Sequence, residues 1–372
     1  MQRADLLLVN ANVLTMDIRS PRSDSVAIKD GVIVAVGASA TAELAGERVI
    51  DCGGLALIPG FHDAHCHLLA YASNLVGVDC SPGAVSSIAE IQEALRRRAQ
   101  ESPPDTWIRA WGYNEFYLAE GRHPSRWDLD AATPHHPVRL MHRSGHACVL
   151  NSRAMELAGI SIETSDPPGG LIDRALPSGE PTGLLYEMED FVGCSVPPLS
   201  QGELRQGVEL ASRNLISWGV TSVQDASPHN TLEDWSVMSG LRKDMLFTPR
   251  VTMMIAPEAL ESFLDDGLSY GKERDGLRVG AMKVVIDRTR GNLYPPLDDL
   301  KEQVAKAHSA GFQVALHAVE EETVEAAIQA LRYARDSGPR RNQRHRIEHC
   351  SVCPPWLAQR IKEAGVMVVT QP

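Results

Sequence analysis

Leu55-Ala-Leu-Ile-Pro-Gly-Phe-His-Asp-Ala-His-Cys-His67 is an apolar run that ends in two imidazoles, His65 and His67. Residues two apart on a strand face the same side, so both rings can reach one metal ion. Neutral imidazole is the commonest protein ligand for ions of the zinc type. A bare His-x-His is a weak signal, and the weight here comes from further along the chain. Lys283 sits inside Ala281-Met-Lys-Val-Val-Ile-Asp287, while His317 and His349 close the β-like runs Gln313-Val-Ala-Leu-His317 and Arg346-Ile-Glu-His349. Lys283 to His317 is 34 residues and His317 to His349 is 32. A strand, a helix and their two loops take about 30 residues. Three consecutive units then place one candidate ligand each at the same end of a barrel.

The segments between these strands carry helical stripes. Leu297, Leu300, Val304 and Ala307 precede Gly311; Val324, Ala327, Ile328, Leu331 and Ala334 precede Gly338; Leu357, Ile361 and Ala364 precede Gly365. Apolar residues at a 3.6 period closed by glycine predict helices, and strands alternating with helices predict a parallel sheet. Functional groups in a (β/α) barrel lie at the carboxyl ends of its strands. Working outward, Gly219-Val-Thr-Ser-Val-Gln-Asp225 reads as the second barrel strand and Arg250-Val-Thr-Met-Met-Ile255 as the third. Lys283, His317 and His349 fall on the fourth to sixth, and Val366-Met-Val-Val-Thr-Gln371 on the seventh. The expected fold is α/β, a TIM-like barrel with seven of eight strands visible.

Residues 1–58 differ. Short strands and the Asp30-Gly31 hairpin signal predict part of a small β-sandwich. The barrel is expected over 59–372, with an insertion at about 70–215 that holds Trp107, Trp111 and Trp127. A strand-to-helix loop normally has about 2–6 residues, so that stretch needs structure of its own.

The net charge of −12 argues against nucleic acid or an anionic membrane as partner, and no run is long enough to span a bilayer. Seven scattered cysteines and an N-terminus without a signal-peptide core predict a cytoplasmic protein with reduced thiols. A small-molecule substrate is the expected partner, and a homo-oligomer is compatible with the sequence.

Each candidate has a plain structural alternative. The Lys283 stem can pack while its amine reaches water, or the amine can take up CO₂ as a carbamate that bridges two ions. Lysine is almost never fully buried unpaired, and only seven lysines stand against 29 arginines. His317 and His349 can be core histidines bonded to carbonyls, yet their register with Lys283 favours a shared role. Cys350-Ser-Val-Cys353 is followed at once by two prolines, which disfavours a redox pair. Asn151 reads as a helix cap, and Trp111 as packing or a pocket wall.

These motifs resemble the amidohydrolase superfamily of metal-dependent barrels. More narrowly they resemble the branch of N-substituted formamide deformylases, amidohydrolase family 3. The matching stretches are Pro59-Gly-Phe-His-Asp-Ala-His-Cys-His67, Gly145-His-Ala-Cys-Val-Leu-Asn-Ser152, Gly219–Asp225, the Lys283 strand, Leu316-His-Ala-Val319 and Arg346-Ile-Glu-His-Cys350. The resemblance implies two divalent ions, expected to be zinc. His65 and His67 would bind the first, carboxylated Lys283 would bridge, and His317 and His349 would bind the second. A metal-held hydroxide would attack a non-peptide carbon–nitrogen bond of an N-substituted amide or formamide. Asp63 and Asp287 would support the ligands, and His146 and Trp111 would touch substrate. Two departures stand out. Asp287-Arg288-Thr289 replaces the branch's Asp-Gly-Ser, and the aspartate expected on an eighth strand is absent. The second implies an incomplete, nearly inactive chain unless Asp225 or Asp287 takes over the proton. The alternatives are a non-catalytic metal-binding remnant and a mononuclear deaminase.

Overall fold

The computed structural model describes residues 2–37, 44–167, 170–288, 291–339 and 342–371. Thr289, Pro372 and Pro168-Gly169 of the Pro/Gly tract fall outside them. The chain divides into two compact units, Met1–Phe61 and His62–Pro372.

The first unit is built of two small sheets. One runs in the order Val32–Val36, Val26–Lys29, Gln2–Val9, Leu44–Asp51; the other in the order Arg22–Ser23, Asn12–Leu14, Ala56–Leu57. Asp30 and Gly31 have φ of 51° and 72°. Both are left-handed, as the tight turn between right-twisted antiparallel strands requires.

The second unit contains the parallel sheet. Its strands are Phe61–Cys66, Val220–Asp225, Arg250–Ile255, Leu277–Val285, Val314–Ala318, Arg346–His349 and Met367–Val369, neighbours in that order. Lys283 is on the fourth, His317 on the fifth and His349 ends the sixth. The register sets Val285 opposite His317 and Ala318 opposite His349, so successive ligand positions stay at one level around the sheet. The short strand Glu273–Arg274 pairs antiparallel with the fourth.

Leu297–Ser309, Glu321–Ser337 and Pro355–Ala364 form the helices that the stripes predict. Leu300, Val304, Val324, Ala327, Ile328, Leu357 and Ile361 are buried in one cluster with strand residues such as Val284, Leu316 and Ile347. Gly365 ends the last helix at φ 63° and donates its N–H to Ile361 and Lys362 carbonyls, a left-handed cap.

The segment between the first two barrel strands has a six-stranded sheet of its own, reaching from Val78 to Tyr186. The helices on either side, Leu68–Val76 and Gln201–Ser217, belong to the barrel: Leu68, Ala72, Val208 and Ala211 are buried in its cluster. The separate structure is therefore narrower than 70–215. The two helices touch closely at Gly207, where a Cβ would lie 2.3 Å from the Ala72 carbonyl oxygen. Among the described residues all seven cysteines are free thiols, and no helix is long and apolar enough to cross a membrane.

Candidate metal centre

The first barrel strand delivers His65 on its last turn of pleat, and His67 follows as the residue that opens helix Leu68–Val76. The sixth strand ends at His349, where φ is 69°, with Cys350 next at 51°. Two non-glycine residues in the left-handed region cost about 1–3 kcal/mol each and cluster where function over-determines the backbone. The Cys350 N–H holds this bend by donating to the Ala318 and Glu348 carbonyls, at 2.9 and 3.0 Å. The bend brings the His349 ring to 4.5 Å from His317 and 4.8 Å from His65, centroid to centroid; His65 and His67 are 5.3 Å apart. Four imidazoles from three strands and one helix start thus meet.

Lys283 lies beneath them, 1% exposed. Its Nζ has no hydrogen-bond partner among the described residues. Burial lowers its pKa to about 8, and the Glu348 carboxylate only partly offsets this. Its charge bears on His67, His317 and His349. Burial, together with the neighbouring rings and the lysine, holds His67 down at about 4 and His317 at about 3. Both rings are therefore neutral at physiological pH, the state in which imidazole ligates a metal.

His65 Nδ1 is 2.5 Å from Glu348 Oε2. The carboxylate accepts, so Nδ1 carries the proton and Nε2 is left facing away; that Nε2 is buried with no partner among the described residues. Burial pushes the Glu348 carboxyl up, yet hydrogen bonds from His65 and Arg346 outweigh it and hold it at about 2. Arg346 spans the Glu348 carboxylate with Nε and Nη2 and also donates to Gln224 Oε1 and the Ala64 carbonyl. The orientation assigned above to Asp63 therefore belongs to Glu348. Asp63 Oδ1 instead accepts the backbone N–H of His65 at 3.0 Å and fixes the strand, not a ring.

Asp225, buried at the end of the second strand, accepts from the Leu68 N–H, Ser227 Oγ and Asn230 Nδ2. Ser227 Oγ is 3.4 Å from His67 Nδ1, and Gln371 Oε1 is 2.8 Å from His349 Nδ1. Asp287 lies just past the fourth strand in a backbone bridge with Tyr294. His146, exposed and 3.1 Å from Glu187, is near enough for its charge to press on His317. Trp111 is not with the imidazoles. It lines a separate cavity of about 660 Å³. Asn151 caps helix Ser152–Leu157 through its Oδ1, as its sequence context predicts.

Glu348 went unnoticed in the sequence, although Arg346 and Glu348, opposite charges two apart in an apolar strand, were the available sign. For Ser227 and Gln371 there was none. Among the described residues, no three histidine, cysteine, aspartate or glutamate side chains are already closed on one point as a finished ligand group.

The model of the Amidohydrolase family matches residues 48–372. This chain belongs to the amidohydrolase family. That makes it an enzyme of the hydrolase class, as the motifs predict. It is 28% identical over 402 residues to the N-substituted formamide deformylase of Arthrobacter pascens, covering 100% of this chain and 73% of that protein. It is 28% identical over 390 residues to the putative amidohydrolase YtcJ of Bacillus subtilis, covering 97% and 71%. Among solved structures, an uncharacterised metal-dependent hydrolase of Pyrococcus furiosus superposes with a TM-score of 0.72 at 24% identity. That match covers 99% of this amidohydrolase and 77% of that chain, and shows the barrel fold.

Proposed function

We propose that this amidohydrolase cleaves a non-peptide carbon–nitrogen bond, in an N-substituted amide or formamide, with two divalent ions, zinc, at the imidazole cluster. His65 and His67 would hold one ion, His317 and His349 the other, and Lys283 would join them as a carbamate. The observation that carries this reading is Lys283: a buried amine with no partner among the described residues, close to four gathered imidazoles. Burying a polar group unpaired costs about 1–3 kcal/mol, so a fold that does so is arranged for something else. With a pKa of about 8, roughly one amine in ten is neutral at pH 7. The neutral amine can add to CO₂, releasing one proton and forming the N–C bond of a carbamate. The product is anionic and offers two oxygens where the amine offered one nitrogen.

The donor set fits zinc. Imidazole nitrogen and carboxylate-type oxygen are its ordinary ligands, and the unpartnered His65 Nε2 is a lone pair without another task. When bound, such ions polarise a carbonyl and bring the pKa of a bound water to about 7. The chain's own part is to hold the donors. Glu348 fixes the His65 tautomer, Gln371 and Ser227 face the second nitrogens of His349 and His67, and Asp225 ties helix Leu68–Val76 to the second strand. Such outer partners typically account for about 10–100-fold in metal affinity or activity. A deaminase reading, with one ion and no bridging lysine, leaves Lys283 without a purpose. Seven free thiols support the cytoplasm as its compartment.

Elemental analysis of purified protein should show up to two zinc-type ions per chain, with hydrolysis of small N-formyl amines. Lys283→Ala should lose at least one ion. Unchanged metal in that variant removes Lys283 from the site.

A further inference from the structure

His67 is held from two sides by one buried carboxylate. Asp225 ends the second barrel strand and is 3% exposed. Its Oδ1 accepts the Leu68 N–H at 3.1 Å, the first backbone donor after His67. The same oxygen accepts from Ser227 Oγ at 2.9 Å, and that Oγ lies 3.4 Å from His67 Nδ1. A hydroxyl has one proton to give. Because Ser227 gives it to Asp225, only lone pairs are left to face the ring. His67 Nδ1 therefore carries the hydrogen, and its Nε2 is the nitrogen left for a metal. Asn230 Nδ2 holds the other carboxylate oxygen at 2.9 Å and is itself tied to the Met254 carbonyl at 2.9 Å.

The four imidazoles are not backed alike. His65 Nδ1 meets the Glu348 carboxylate directly, and His67 Nδ1 reaches the Asp225 carboxylate through one hydroxyl. In the other pair, His349 Nδ1 meets the neutral amide oxygen of Gln371 at 2.8 Å. The groups whose charge bears on His317 are all bases: His349, Lys283, His65 and His146. A carboxylate behind an imidazole makes it a stronger metal ligand than a neutral partner does. Arg346 takes up part of the Glu348 charge through two hydrogen bonds. The donors to Asp225, a backbone N–H, a hydroxyl and an amide, are neutral and leave its charge in place.

We propose that Asp225 is a positioning residue for His67, acting through Ser227, and that with Glu348 it makes the His65–His67 position the tighter of the two ion positions. The His317–His349 position is then the exchangeable one. This inference rests on the two-ion reading of the imidazole cluster and adds an order of filling, with one ion resident and the second taken up after it.

Two measurements on the full chain test this. The first is zinc titration of the metal-free protein against a chromophoric chelator. Two classes of binding are expected, about tenfold or more apart. His317→Ala should abolish the weaker class and leave the tighter one. Ser227→Ala should weaken the tighter class by about tenfold, and Ser227→Thr, which keeps the hydroxyl, should restore it. The second is ¹⁵N NMR of the histidines in the metal-free protein, which reads the tautomer itself. His67 should carry its hydrogen on Nδ1 in the parent and in Ser227→Thr, and lose that preference in Ser227→Ala. Equal affinities at the two positions, loss of the tighter class in His317→Ala, or hydrogen on His67 Nε2 in the parent overturns the proposal. So does a folded Ser227→Ala with the zinc affinity and tautomer of the parent. A single bound zinc that Ser227→Ala weakens and His317→Ala leaves alone supports the role of Asp225 and sinks the two-ion reading instead.

Discussion

Glu348 on the sixth barrel strand and His65 on the first lie 283 residues apart and meet at 2.5 Å, carboxylate Oε2 to imidazole Nδ1. Neither group is exposed: their side chains are 0% and 5% accessible. The contact does two things at once. It fixes which imidazole nitrogen is left for a metal, and it gives a buried carboxylate a second cationic or polar partner besides Arg346.

Glu348→Gln should therefore weaken zinc binding by about 10–100-fold. It should also lower stability by roughly 3–5 kcal/mol, because the buried Arg346 guanidinium loses its counter-charge. Competitive chelator titration and denaturant melts read the two effects separately. Unaltered zinc affinity in a folded variant would show that the His65 tautomer is set by something else.

Lys283→Met keeps the apolar stem and removes the amine. We expect the apo protein to be as stable as the parent or more so, since no unpaired polar atom is left inside, while catalysis is lost. Carbon NMR after growth or incubation with ¹³C-bicarbonate should show a carbamate resonance in the parent and none in Lys283→Met. An identical spectrum for both places no carbamate at Lys283.

His146→Ala should shift relative rates among amides of different acyl size while leaving metal content intact. The ring stands in the insertion rather than on a barrel strand, yet its charge is felt by His317. A parent-like substrate profile would put selectivity elsewhere in the insertion.

Acid sensitivity should come from the opposite end of the barrel as well. His345 Nδ1 accepts the Val314 N–H at 3.0 Å, its Nε2 is 2.9 Å from His308 Nδ1, and His308 Nε2 is 2.8 Å from the Pro339 carbonyl. With a donor, the Val314 N–H, fixed at one end and an acceptor, the Pro339 carbonyl, at the other, the chain of bonds needs a neutral His345 ring. Burial, with His308 beside it, lowers the His345 pKa to about 4 from an ordinary value of 6.5. A folded pKa below the unfolded one means the stabilisation is present above pH 6.5 and is lost as pH falls toward 4. Between pH 7 and pH 5 this amounts to at most about 2 kcal/mol. His345→Asn can still accept from Val314 and cannot titrate. It should be less stable at pH 7 and lose less on acidification; a parallel fall in both proteins would rule out His345 as the source.

Gly207→Ala gives the sign of a packing effect. In an exposed helix this change stabilises by up to about 1 kcal/mol. Here the new methyl would stand 2.3 Å from the Ala72 carbonyl oxygen, so a loss of about 1–3 kcal/mol is expected from overpacking. A stabilised variant would mean that the two helices separate at little cost.

The sequence by itself determined the barrel. Its information is local and periodic: apolar stripes such as Val324, Ala327, Ile328 and Leu331, short β runs ending in histidine, and glycines that stop helices all follow from a 3.6 or 2.0 residue period and the handedness of the chain. Because each unit repeats at about 30 residues, the same count put Lys283, His317 and His349 in register before any contact was known. Residues 70–215 yielded less, since the six-stranded sheet of the insertion mixes parallel and antiparallel neighbours that no single period marks. What only the tertiary structure decided is which groups face one another across the closing sheet. Glu348 against His65, Ser227 against His67 and Gln371 against His349 are contacts between residues at or just past the ends of different strands, separated by 283, 160 and 22 residues. Their partners are chosen by register and by the left-handed bend at His349, and neither leaves a mark in composition or spacing. Asp63 shows the same limit in reverse: proximity in sequence suggested a ring partner, and the pleat turned its carboxylate to the backbone instead.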